Sequence, residues 1–195
     1  MPLNSANPET LNLLLNRRSV KTKDMVEPGP SHNELTQILT AAARVPDHGK
    51  LVPWRFIVVD GDERSTLGNI IADALAAESD VSEKVREKMK GYGTQAPTCI
   101  IAIYSPSCER PVPVWEQHLS TGAACQNLLI AAHALGYVGQ WLTGWAAYSK
   151  TVWKELGLHH DEMIAGFIFL GSQSKEPSER PRPDMDTVIK WGLPK

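Results

Sequence analysis

The sequence predicts one layered domain that mixes helices and strands, either α+β or α/β. Three observations carry this. The chain has 195 residues, close to one domain at about 150 residues each. Three apolar runs, RFIVVD (55–60), TCIIAIY (98–104) and MIAGFIFL (163–170), have the length and branched content of strands. The longer stretches between them place apolar residues three and four apart, as amphipathic helices do. Composition agrees: 42% hydrophobic and 22% charged residues lie in the globular range, which excludes disordered, collagen-like and coiled-coil chains.

The elements follow in order. Asn7-Pro8-Glu9 supplies an N-cap, a proline at the first helical position and an acid in the first turn. Leu11, Leu14 and Leu15 give that helix one apolar face, and it should end at 16–19. A polar loop with Pro28 and Pro30 leads to Ser31 and Glu34, a capping box. Leu35, Ile38, Leu39 and Ala42 are the buried stripe of the second helix, which Pro46 stops. After the first strand, Leu67, Ile70, Ile71 and Leu75 mark a third helix. Residues 82–90 are charged enough to be a solvated helix, read as a lid. TCIIAIY is apolar without alternation, as in a strand covered on both faces. A long helix fills 114–135, with Gly136 just past its end. Residues 137–142 form a short strand, Ser149 caps a helix ending at Gly157, and MIAGFIFL is the last strand. The segment 172–195, with Pro177, Pro181, Pro183 and Pro194, should be an extended tail.

Twenty Lys and Arg against twenty-two Asp and Glu leave a net charge of −2, without the basic bias of a nucleic-acid binder. Three cysteines, Cys99, Cys108 and Cys125, are odd in number and lack CxxC spacing, which favours reduced thiols and a cytoplasmic location. The first apolar run precedes its basic residues, the wrong order for a secretory signal. The most apolar stretch, 123–135, is interrupted by polar residues and too short for a bilayer, so no membrane association is expected.

Phosphate-loop, dinucleotide-fingerprint, zinc-protease and nucleophile-elbow motifs are missing. His159 and His160 are neighbours pointing apart, so no metal is expected. Cys125 and His133 are separated by about 12 Å of helical rise, too far for a catalytic pair; Cys125 reads as a core residue. Four looser features remain. Arg17-Arg18-Ser19 can fork onto a phosphate, or simply complement a helix C-terminus. Residues 44–54 put Arg44, Asp47, His48 and Lys50 among prolines and a glycine, as a functional loop or as a rigid connector. In 136–144, Trp141 and Thr143 can bracket a flat ring, or the glycines can merely bend the chain into a strand. Arg180 and Arg182 can close over an anion or lie in solvent. Together the four point to a ligand with a phosphate and a planar ring.

These features occur in an order that resembles the nitroreductase family of FMN-dependent oxidoreductases, and most resembles its short, single-domain NAD(P)H-dependent members. The likeness runs from LNLLLNRRSVK through AAARVPDHGKLVPWRFIVVDG and VWEQHLSTGAACQNLLIAAHALGYVGQWLTG to AGFIFLGS. It implies a three-layer α+β fold with a central, mainly antiparallel sheet flanked by helices. It implies a single FMN-binding domain over residues 1–195 and an intertwined homodimer with a flavin in each interface cleft. By the same likeness Arg17, Arg18 and Ser19 hold FMN from one subunit, together with Trp141, Leu142 and Thr143. Arg44 and His48 meet that flavin from the other subunit, and Arg182, with Arg180 as the alternative, meets the phosphate. The chain departs from larger relatives in carrying Pro-Asp-His-Gly-Lys for Pro-Ser-x-x-Asn, and from close relatives in carrying Leu142 for an arginine.

The implied activity is hydride transfer from NADH or NADPH through FMN to a nitroaromatic, quinone or enone acceptor, in ping-pong order. A guanidinium from Arg17 or Arg18 near the flavin pyrimidine would favour two-electron reduction. No protein acid or nucleophile is then needed, since the flavin carries the chemistry. The rivals are a flavin enzyme of the same fold that dehalogenates or breaks down flavin, a non-catalytic flavin carrier, and a cofactor-free interaction domain.

Overall fold

The apolar runs assemble into an antiparallel sheet with helices on both faces. The computed structural model describes residues 5–193; residues 1–4, 194 and 195, including Pro194 and the two ends of the predicted 1–195 domain, lie outside the described residues. In chain order the elements are α1 (Pro8–Asn16), β1 (Met25–Val26), α2 (His32–Ala42), β2 (Trp54–Val59), α3 (Glu63–Glu78), α4 (Glu83–Lys90), β3 (Thr98–Tyr104), α5 (Val114–Ala134), β4 (Val138–Leu142), α6 (Trp145–Tyr148), α7 (Lys150–Glu155), β5 (Met163–Gln173) and α8 (Met185–Val188).

β5 is the central strand. It pairs with β3 on one side, and β3 with β2 beyond it. Along its other side β5 pairs first with β4 and then, at Ser172 and Gln173, with β1. All pairings are antiparallel. Alternation along β3 and β5 divides the core in two. Cys99, Ile101, Ile103, Phe167 and Phe169 face α3, α6 and α7 through Leu67, Ile71, Ala147, Val152 and Trp153. Ile100, Ala102, Ile168 and Leu170 face α2 and α5 through Leu35, Ile38, Cys125, Leu128 and Ala132. The result is the expected three-layer α+β architecture, and the unbroken apolar character of TCIIAIY is explained: every residue of β3 is buried.

Local signals act as read. Ser31 and Glu34 form the complete capping box on α2, the Ser149 side chain accepts from the Val152 amide to start α7, and Gly136 follows α5 at φ +88°. Burial pushes the Cys125 thiol up to about 12, as befits a core residue without nucleophilic character.

Two readings change. The predicted tail begins later than 172, because Ser172 and Gln173 continue β5 to pair with β1; the polar loop holding that two-residue strand has no periodicity to reveal it. Within the tail, Asp184 caps the single helical turn α8. The charged segment predicted as a lid is a solvated helix, and it is tied down: Arg86 bonds Asp73 of α3 at 2.8 Å and Met89 packs on the core.

A buried ion pair locks the start of β5. Glu162 is 2% exposed and accepts from Arg55 Nε at 2.7 Å and from Arg55 Nη2 at 2.6 Å. The His159 amide donates to it at 2.9 Å. The Arg55 guanidinium, aided by the His159 amide and the Ser105 hydroxyl, holds the Glu162 carboxyl down at about 2.

Candidate functional site

The segment after α1 is held by neighbours on three sides. The Arg17 amide closes the last turn of α1 on the Leu13 carbonyl at 2.8 Å. His133 of α5 sits with Nε2 3.1 Å from the Arg18 carbonyl and Nδ1 2.8 Å from the Leu129 carbonyl. Val20 is buried, and its amide donates to the Gly139 carbonyl of β4 at 3.3 Å. Gln140 Oε1 then accepts from the Thr22 amide at 3.1 Å. From β5 the chain returns over this segment: both the amide and the hydroxyl of Ser174 donate to the Asp24 carbonyl, at 3.0 and 2.9 Å.

Between the two strands of chain lies a cleft of about 780 Å³. Arg17, Arg18, Ser19, Lys21, Lys23, Asp24 and Gln140 line one side, and 175–182 the other. Seven of the lining side chains are basic (Arg17, Arg18, Lys21, Lys23, Lys175, Arg180, Arg182) and three acidic (Asp24, Glu176, Glu179), an excess of four positive charges. The acids are partly engaged. Glu179 accepts from Arg18 at 3.1 Å and stands 3.5 Å from Arg182, and Glu176 stands 3.5 Å from Arg18. Arg17 is different: its Nε is buried with no partner. Burial, and then the like charge of Arg182, depress its basicity. The Ser19 hydroxyl is its neighbour, 3.5 Å from Nη2. A desolvated guanidinium with an unused donor in a basic cleft is a site in want of an anion.

The structure therefore brings Arg17, Arg18, Ser19, Arg180 and Arg182 together from opposite ends of the chain. Arg44 and His48 are not among them. They belong to the α2–β2 loop, beside a separate pocket of about 480 Å³ lined by 47–50 and 110–112. There His48 Nδ1 pairs with Glu116 Oε2 at 2.7 Å, and the Asn127 side chain donates to the Arg44 carbonyl at 3.0 Å. Trp141, Leu142 and Thr143 form a third group at the end of β4, outside the lining of both pockets. The β3–β5 register skips Ala165, and its carbonyl accepts from Trp141 Nε1 at 3.0 Å. Gly166 makes room for the indole, since a Cβ there would lie 2.0 Å from Nε1. Leu142 is half-buried against the core, and Thr143 is exposed.

Sequence reasoning gave no place at this cleft to Lys21, Lys23, Lys175, Gln140 or His133, the last weighed only as a partner of Cys125. The run RRSVKTK, with four cations in seven residues, carried a signal for the first two, and Gln140 lies in the glycine-rich segment 136–144; nothing local marks Lys175 or the contact of His133 with Arg18. Among the described residues no three His, Cys, Asp or Glu side chains gather as metal ligands, and no helix is long and apolar enough to cross a membrane.

Fold and site together define a layered α+β protein with a basic cleft built from loops. Comparison places it in a family: the model of the nitroreductase family matches residues 14–172, and the chain belongs to that family, an oxidoreductase enzyme. It is 34% identical over 171 residues, 87% of this chain and 91% of the relative, to YdjA of Escherichia coli (strain K12), provisionally named an NAD(P)H nitroreductase. A nitroreductase-like family protein from Bacillus cereus has a similar structure, with TM-score 0.79, 21% identity and coverage of 95% of this chain and 97% of that one. The FMN and NADPH-dependent nitroreductase NfnB from Sphigopyxis sp. strain HMH superposes with TM-score 0.72 at 20% identity, covering 94% of this chain and 99% of that one.

Proposed function

We propose that the protein is an FMN-dependent NAD(P)H oxidoreductase, a single flavin-binding domain that works as a cytoplasmic homodimer on nitroaromatic, quinone or enone acceptors. The observation that carries this is the buried, unpartnered Arg17 Nε beside the Ser19 hydroxyl in a cleft with excess positive charge. An FMN phosphate brings about −1.5 to −2 charges and three acceptor oxygens, which suits that cleft. Arg17, Arg18, Ser19 and Arg182 hold the phosphate end, with Arg180 in reserve. Glu176 and Glu179 hold Arg18 and Arg182 in place and yield them to the phosphate. Trp141, Leu142 and Thr143 line the ring from the same subunit.

When bound, FMN would supply the redox chemistry, hydride transfer between NADH or NADPH and the acceptor in ping-pong order. The side chains bind, orient and shield. Arg44 and His48 lie in another part of the chain from Arg17 and serve the flavin site of the second subunit. Exposed apolar residues support the dimer: Leu11, Leu14 and Leu15 on α1, Val114, Trp115 and Leu119 on α5, and Trp191 and Leu193 beyond α8, both 92% exposed.

The purified protein is expected to be yellow, to elute as a dimer and to bleach rapidly on anaerobic mixing with NADH or NADPH. Arg17→Ala and Ser19→Ala should keep the fold and lose flavin. Unchanged FMN occupancy in both variants overturns the phosphate assignment, and a flavin that neither dinucleotide reduces makes the protein a carrier.

A further inference from the structure

The pocket beside His48 has cations that the reading above does not use. It measures about 480 Å³, and Lys50 and Arg110 line it together with Asp47, Gly49 and Val112. Among the described residues neither Lys50 nor Arg110 makes an ion pair. The adjacent acids are already committed. Asp47 Oδ2 accepts from the Val52 amide at 2.8 Å, and Glu116 Oε2 is held by His48.

The loop is bent to present these groups. Gly49, Lys50 and Val52 all have left-handed backbones, at φ +79°, +57° and +49°. Such a conformation is unfavourable for lysine and more so for a β-branched valine, and it persists only where surrounding bonds impose it. The Asp47–Val52 bond spans this bend. Gly49 also lets the opposite segment close in: a Cβ at that position would lie 3.1 Å from Arg110 Cδ and 3.2 Å from Val112 Cγ2. The aliphatic part of Arg110 thus packs over Gly49, and Arg110 lines the same pocket as Lys50.

We propose that Lys50 and Arg110 form an anion subsite for a phosphate group of the pyridine dinucleotide, either its pyrophosphate or its 2′-phosphate. This rests on the flavin reading, which puts the neighbouring His48 at the flavin that the nicotinamide must reach. A dinucleotide seated there carries its phosphates past His48 onto the adjoining surface. The pocket can take a phosphate and its sugar, and two unpaired cations against one committed carboxylate favour that charge.

The test is a calorimetric titration of the purified protein with 2′,5′-ADP, ADP and adenosine, none of which can reduce a flavin. Lys50→Gln and Arg110→Gln should each weaken 2′,5′-ADP about tenfold, the effect of one charge-assisted hydrogen bond. Arg110→Lys should recover part of the loss, and adenosine should be unaffected. Loss for both phosphorylated nucleotides assigns the pyrophosphate; loss for 2′,5′-ADP alone assigns the 2′-phosphate. Wild-type affinity in both glutamine variants, or no binding of either nucleotide to the wild type, overturns the subsite. The flavin reading fails separately, through a colourless protein or a flavin not bleached by N-benzyl-1,4-dihydronicotinamide, a hydride donor without phosphate.

Discussion

Glu162→Gln tests how the sheet supports the site. Glu162 is held at about 2 against an ordinary 4.5, chiefly by the two hydrogen bonds from Arg55. A carboxyl so depressed stabilises the folded state at neutral pH by about 3 kcal/mol at most. The Arg55 side chain is 36% exposed, so water partly resolvates the cation left behind, and the expected net loss is about 2–3 kcal/mol. The sign of the pH dependence follows. The contribution is complete above 4.5 and disappears as pH falls towards 2, because the unfolded chain takes up the proton first. Glutamine does not titrate. Urea unfolding followed by circular dichroism, at one fixed protomer concentration, should therefore show a gap of about 2–3 kcal/mol between wild type and variant at pH 7, narrowing steadily between pH 5 and 3. Other carboxyls titrate alike in both proteins and cancel in the difference. A gap below about 0.5 kcal/mol at pH 7, or one that stays constant on acidification, refutes the reasoning.

Two further outcomes follow from the geometry. Gly166→Ala sets a methyl 2.0 Å from Trp141 Nε1 and 2.9 Å from the Leu142 carbonyl oxygen, so the indole must leave the Ala165 carbonyl and β4 must give slightly; thermal melting should show a loss of about 1–3 kcal/mol. Trp141→Ala in the same chain should make the second substitution cheaper, and strict additivity of the two would count against the contact. His133→Ala removes the ring that bears on the Arg18 carbonyl. FMN should then bind about two- to tenfold more weakly with the secondary structure unchanged, as measured by flavin fluorescence; equal affinity would show that α5 does not position Arg17–Ser19.

The parts legible in the sequence are those with short-range causes. The strands 55–60, 98–104 and 163–170 announced themselves as branched apolar runs, and the observed β2, β3 and β5 match them within a few residues. The capping box at Ser31 and the cap at Ser149 are patterns three residues long. The family resemblance drew on ordered motifs of the same kind. β1 was invisible, because two residues have no period and pair only where β5 runs on past Leu170. The same limit hid the role of His133: its spacing on α5 is ordinary, and only the fold brings it to Arg18, 115 positions earlier.

The sequence by itself determined the longer helices and strands, that β3 is covered on both faces, and which arginines, serine and aromatic residues are candidates for a phosphate and a ring; the short elements β1, α6 and α8 it left unmarked. Only the tertiary structure decided the strand order, the extension of β5 into the predicted tail, and the cleft that brings 17–19 to 175–182. It also decided that Arg44 and His48 stand apart from that cleft. Periodicity and capping act over a few residues and leave a readable pattern. A cleft assembled from opposite ends of a chain depends on β5 carrying the tail back beside the end of α1, and no local pattern encodes that distance.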